Sequence, residues 1–191
     1  MDDVKFTDAM LDDIERRPSI DRALVFATRH SNGAMMAYRL ACELADRIAP
    51  IAPVGGTLGI KDCKPSRAVS VLHIHGLRDQ NSPFEGGVGS HSLSRSDVQS
   101  NEQTIAKWVE LNGCDADSAS VVNAEGFRTT TYRAQSGAEV VLVAVDRMGH
   151  TWPGGEAIAS ANFAGPTPQS PSANEWLWNF FVRYPLGSRR Q

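Results

Sequence analysis

The sequence predicts an α/β fold: a mainly parallel sheet with helices on both faces. Two kinds of segment carry this expectation. Val69–His75, which alternates in polarity, and Glu139–Asp146, a near-continuous apolar run, read as strands. Stretches with apolar residues at helical spacing alternate with them, as parallel sheets require. The 191 residues, 41% of them hydrophobic, suffice for one core, so a single domain over 1–191 is expected.

In order along the chain, helix 3–17 comes first, with Phe6, Met10, Leu11 and Ile14 at helical spacing and Pro18 closing it. Strand 23–28 reads Ala-Leu-Val-Phe-Ala-Thr, apolar enough for burial on both faces, and helix 32–46 follows. Strands 48–54 and 69–75 and helix 96–112 come next. Strands 127–133 and 139–146, joined through Ala134–Gly137, read as an antiparallel hairpin at the end of the sheet, before helix 173–184. Residues 80–95 and 151–172 are rich in Gly, Ser and Pro and read as loops that shape a substrate pocket.

A formal charge of −3 offers no electrostatic case for nucleic acid, and basic residues are dispersed apart from Arg189 and Arg190. No apolar run reaches the ~18 residues of a membrane span. The start Met-Asp-Asp-Val-Lys lacks the zones of a signal peptide, which leaves localisation open. Cys42 lies in an apolar helix and reads as a buried free thiol. Cys63 and Cys114 lie in loop contexts and are the pair open to bridging in an oxidising compartment. Neither C-x-x-C nor a zinc-spaced Cys/His set occurs, so no metal or other cofactor is expected.

The chemistry concentrates in three places. Arg29-His-Ser-Asn-Gly33 lies between strand 23–28 and the helix after it. A serine at such a turn is lifted off the sheet, with the following N–H groups aimed at a reacting carbonyl. The plain alternative for Ser31 is a helix N-cap. After strand 69–75, a turn-rich loop holds Asp79; after strand 139–146, Arg147-Met-Gly-His-Thr-Trp-Pro-Gly-Gly155 holds His150. A serine hydroxyl barely ionises at neutral pH, so an imidazole must take its proton and return it to the leaving alcohol. A buried carboxylate then fixes the imidazole tautomer. Ser31, His150 and Asp79 are the candidates for nucleophile, base and acid.

These segments, with Ile51–Val54 and Pro83–Gly87, resemble the α/β-hydrolase esterases that include polyhydroxybutyrate depolymerases, feruloyl esterases and acetylxylan esterases. The likeness runs from about residue 20 to the C-terminal helix. It implies a serine carboxylesterase acting on small esters, with the same three residues in the same roles. Arg29 stands where the family's Gly-x-Ser-x-Gly pattern has its first glycine. Several strands precede the nucleophile in such domains, whereas about twenty residues precede strand 23–28 here, so the resemblance implies a truncated α/β-hydrolase fold. Two expectations follow. Only the N–H of Asn32 is assignable to an oxyanion hole. Strand 23–28 becomes an edge that invites a second chain, so a homo-oligomer, in first place a dimer, is expected to cover it.

His30 and Trp152 neighbour the triad candidates and are placed in the substrate pocket, with loop packing the alternative for Trp152. His73 and His75 share a strand face; packing is preferred over metal ligation. His91, among serines, reads as solvent-exposed. Two other functions stay open: a weakly active or inactive remnant serving binding or assembly, suggested by Arg29 and the single oxyanion donor, and a metal-dependent hydrolase built on His73 and His75.

Overall fold

The computed structural model describes residues 2–156 and 159–187, so Arg189 and Arg190 lie outside the described residues. Helix α1 (Asp3–Ile14) is followed by a 3-10 turn (Arg22–Leu24), β1 (Ala27–His30), α2 (Asn32–Glu43), β2 (Ile51–Val54) and β3 (Val71–Gly76). Then come α3 (Asn101–Asn112), β4 (Ser120–Ala124), β5 (Phe127–Arg133), β6 (Glu139–Val145), α4 (Ala161–Ala164) and α5 (Ala173–Phe181). The strands form one sheet in the order β1-β2-β3-β6-β5-β4. β1, β2, β3 and β6 are parallel neighbours; β5 and β4 extend the sheet antiparallel.

Every residue of β2, β3 and β6 is buried, which is why these strands are mostly apolar, with His73, His75 and Glu139 as buried polar exceptions. Alternate residues feed two cores. Val71, Val140 and Leu142 pack with Tyr38, Ile105 and Trp108 under α2 and α3, whereas Leu72, Val141 and Val143 pack with Leu177, Phe180 and Phe181 under α5. Helices therefore cover both faces. Helix α2 buries Ala34, Ala37, Tyr38, Ala41 and Cys42, a stripe with the 3-and-4 spacing of an amphipathic helix. Arg47 ties α1 down by bonding Asp8, Asp12 and Glu15. No described helix is long and apolar enough to cross a membrane.

Several boundaries differ from the sequence reading, each for a physical reason. The first strand runs Ala27–His30 instead of 23–28, because Asp21 caps a 3-10 turn through the Ala23 N–H and delays pairing. The strand is consequently half-exposed, not buried on both faces, although it does lie at the sheet edge. Helix α1 stops at Ile14, short of Pro18, and leaves Phe6 and Met10 exposed while Val4 and Leu11 carry its core contacts. Helix α3 begins at Asn101, where Ser100 and Gln103 form a reciprocal capping box, and ends at Gly113 in a left-handed conformation. Strand β4 is exposed along its length and so lacks the alternation that would reveal it; the hairpin is not the end of the sheet. The disulfide joins Cys42 to Cys63, and Cys114 is the free thiol. Cys42 is thus no free thiol: the loop after β2 folds back on α2 and brings Leu58 and Cys63 into the same core as Cys42.

Candidate active site

Ser31, Asp79 and His150 each follow the carboxyl end of a parallel strand: β1, β3 and β6. Side-by-side strands put their C-terminal loops on one rim, the usual binding edge of such sheets. The loops of Asp79 and His150 also touch at their roots. A Cβ at Gly76 would lie 2.1 Å from the Met148 carbonyl oxygen, so only glycine permits this approach.

Ser31 has φ 60° and ψ −127°, a backbone conformation that L-residues seldom adopt. Its N–H donates to the Val54 carbonyl at 2.9 Å, and its own carbonyl accepts from Ala34 and Met35, so the strained turn is held from both sides. The side chain makes no helix-capping bond. It points instead at His150, whose Nε2 is 2.7 Å from Ser31 Oγ. On the other side of the ring, Nδ1 is 2.7 Å from Asp79 Oδ2. An ionised carboxylate only accepts, so Nδ1 carries the proton and Nε2 presents a lone pair to the serine hydroxyl.

Asp79 is buried. Burial by itself would raise its pKa, but hydrogen bonds and charge interactions with His150 and His75 outweigh it and hold the carboxyl well below its usual range. Its second oxygen, Oδ1, accepts the N–H groups of Asn81 at 2.9 Å and Ser82 at 2.8 Å. Asn32 opens α2, where the first N–H groups of a helix have no partner within it. The nearby Gly55 N–H is spent on the Ile74 carbonyl at 2.9 Å.

A cleft of about 470 Å³ opens over Ser31 and His150. Met35, Leu93 and Phe163 give it apolar walls, and Asn81, Ser82 and Ser94 add polar groups. Residues from both Gly/Ser/Pro-rich loops, 80–95 and 151–172, line it, as their placement after Asp79 and His150 implies. The individual contributors Met35, Leu93 and Phe163 were not legible: apolar residues on a helix or in a loop carry no sign that they face a cleft.

His30 lines the cleft, its ring centroid 4.4 Å from that of His150. Burial, then repulsion from His150, pushes its pKa down to about 4, and its Nε2 is buried with no hydrogen-bond partner. Trp152 lies elsewhere. Its indole bonds Asn174 at 3.1 Å and packs on the α5 core, because the loop turns away after His150. His91 is part-buried, not solvent-exposed: it stacks on Phe163 and donates Nδ1–H to that residue's carbonyl at 3.0 Å. His73 and His75 are fully buried and bonded to each other. Among the described residues, no group of three or more His, Cys, Asp or Glu is arranged to hold a metal ion.

A mainly parallel sheet covered on both faces, with a serine at a strained strand-to-helix elbow, defines an α/β-hydrolase fold. Known proteins agree. The chain is 31% identical to the "Putative esterase NocK" of Nocardia uniformis subsp. tsuyamanensis over 94% of its length and 57% of that protein's. It is 28% identical to feruloyl esterase D of Neurospora crassa, over 96% of this chain and 56% of the relative. It is also 28% identical to feruloyl esterase B of Piromyces equi, over 78% and 29% respectively. A solved acetyl xylan esterase from Aspergillus awamori shares the fold, with a TM-score of 0.57 at 13% identity over 94% of this chain and 66% of that one. No protein-family model matches. The chain is a relative of esterases at modest identity, and it spans little more than half the length of the first of these relatives, or less.

Proposed function

We propose that this chain is a serine carboxylesterase that cleaves small acyl esters through an acyl-enzyme. The observation that carries the reading is the single imidazole of His150 within hydrogen-bond reach of both Ser31 Oγ and Asp79 Oδ2. The hydroxyl proton passes to Nε2 as Oγ bonds the acyl carbon, and the imidazolium is stabilised by Asp79. Collapse of the tetrahedral intermediate expels the alcohol, which takes the proton from Nε2. Water repeats the sequence and releases the acid. The oxyanion is assigned to the Asn32 N–H. Each donor in such a site is typically worth ~100- to 1000-fold in rate.

The names of the relatives and the apolar walls at Met35, Leu93 and Phe163 favour a short alkyl or aromatic acyl group. The same reading includes assembly: the unpaired edge of β1 pairs with a second copy of the chain. The deciding experiment compares hydrolysis of p-nitrophenyl acetate and butyrate by the wild type and Ser31→Ala, with mass analysis after a fluorophosphonate. Activity lost in the variant and one adduct on Ser31 support the proposal. Equal activity in both proteins overturns it.

A further inference from the structure

Behind Asp79, three buried side chains form a line that the proton path of Ser31 and His150 does not use. Tyr38 Oη is 2.6 Å from His73 Nδ1, His73 Nε2 is 3.0 Å from His75 Nδ1, and His75 Nε2 is 2.8 Å from the Ser82 carbonyl oxygen. The same Nε2 is 3.4 Å from Asp79 Oδ2. All three side chains have zero exposure.

The chemistry of the last acceptor sets every proton in the line. A carbonyl and a carboxylate only accept, so His75 Nε2 carries hydrogen and Nδ1 is a lone pair. That lone pair requires a proton on His73 Nε2, which leaves His73 Nδ1 to accept from the Tyr38 hydroxyl. The His73 ring is neutral, in keeping with the burial that holds its pKa well below the usual value. All three donors point toward the loop of Asp79. The titratable groups facing His75 are His73 from its own strand and Asp79 from the loop, with His30 and His150 beyond the carboxylate. Phe84 meets it edge-on, and Asn101 of α3 lies beside His73.

We propose that His75 is a positioning residue for Asp79, locked in one tautomer by His73 and Tyr38. It does two things. By pinning the Ser82 carbonyl while Asp79 Oδ1 holds the Ser82 N–H, it fixes the loop so that Oδ2 faces His150. By presenting the positive end of an N–H dipole to Oδ2, it weakens the pull of Asp79 on the His150 proton. The inference rests on Asp79 acting as partner of His150, and it is tested by a readout that needs no turnover.

His150 is titrated by NMR in the wild type, His75→Phe, His75→Gln and Tyr38→Phe, and the acid limb of kcat/KM is measured beside it. Removing the N–H in His75→Phe leaves the carboxylate more attractive to a proton, so the titration of His150 moves up by about 0.5–1 pH unit and the acid limb follows. His75→Gln, which retains a donor, returns most of the shift. Tyr38→Phe moves it in the same direction by a few tenths. An unmoved His150 in folded His75→Phe overturns the proposal, as does a glutamine variant no closer to wild type than phenylalanine. Should His75→Phe not fold, an unchanged titration in Tyr38→Phe does the same. Loss of the Ser31 adduct with the His150 shift intact would count against the esterase reading alone.

Discussion

Arg29 lies across Gly33: a Cβ built on residue 33 would sit 1.9 Å from Arg29 Cγ. The arginine at the position where the elbow pattern has glycine therefore finds its room over the other glycine of the turn, on the exposed edge of β1. The turn keeps its shape with one small residue in place of two. Gly33→Ala is accordingly expected to lose activity and stability. Arg29→Gly in the same chain should restore both, because the obstructing stem is gone. A double-mutant cycle on melting temperature and kcat/KM checks this, with a coupling of the order of 1–3 kcal/mol expected for residues in direct contact. Purely additive losses would contradict the packing argument.

Asp79→Asn removes the charge but keeps the size of the side chain. The amide is able to hold His150 in the wrong tautomer, and kcat is expected to fall by about 10⁴, the cost found when a triad carboxylate is treated this way. Ester hydrolysis measured beside the melting curve separates this from misfolding.

Acid stability divides into two windows. His30 titrates near 4 in the fold and near 6.5 when unfolded. Between these values the unfolded chain binds more protons, so stability falls as pH drops from 6.5 toward 4. His73, whose pKa is also depressed, contributes to the same loss. Asp79 acts in the same sense at lower pH: its lowered pKa favours folding above its unfolded value of 3.8, and that contribution disappears as pH falls below it. His30→Asn should flatten the pH dependence of melting between 6.5 and 4 and leave the steeper loss below 3.8 unchanged. An unaltered slope in the upper window would refute the assignment to His30.

The Cys42–Cys63 bridge closes a span of 21 residues that includes β2 and the loop after it. Constraint of the unfolded chain by a loop of this size is worth about 3 kcal/mol. Reduction, or Cys42→Ser with Cys63→Ser, should lower the unfolding free energy by that amount and shift the denaturant midpoint down accordingly, whereas Cys114→Ser should leave both close to wild type. Equal midpoints with and without reductant would contradict the prediction.

The unpaired edge of β1 is expected to be covered by a second chain. Light scattering at micromolar concentration should give twice the mass of one chain. A monodisperse monomer would rule this out.

Much of this arrangement was legible in the sequence because burial leaves a compositional trace. β3 and β6 carry many apolar residues since both faces are covered, and the loops after them announce themselves through Gly, Ser and Pro. Asp79 and His150 could thus be placed from order alone. β4 left no such trace, being exposed on every residue. The partner of Cys63 was not legible either. Cys42 has the neighbours of any core thiol, and only the fold-back of the loop at Leu58 brings the two sulfurs together. The spacing of His73 and His75 showed a shared face. That the face also held Tyr38, from a helix 35 residues earlier, depended on packing that no local pattern encodes.

The contact of Gly76 with the Met148 carbonyl joins the acid and the base into one mechanical body, whereas the cleft walls at Leu93 and Phe163 hang further out on their loops. On the proposed esterase reading, proton handling is anchored at the roots and ester recognition at the tips. Insertions or exchanges beyond the anchored portion can retune which acyl group is accepted while the distance from carboxylate to imidazole stays fixed.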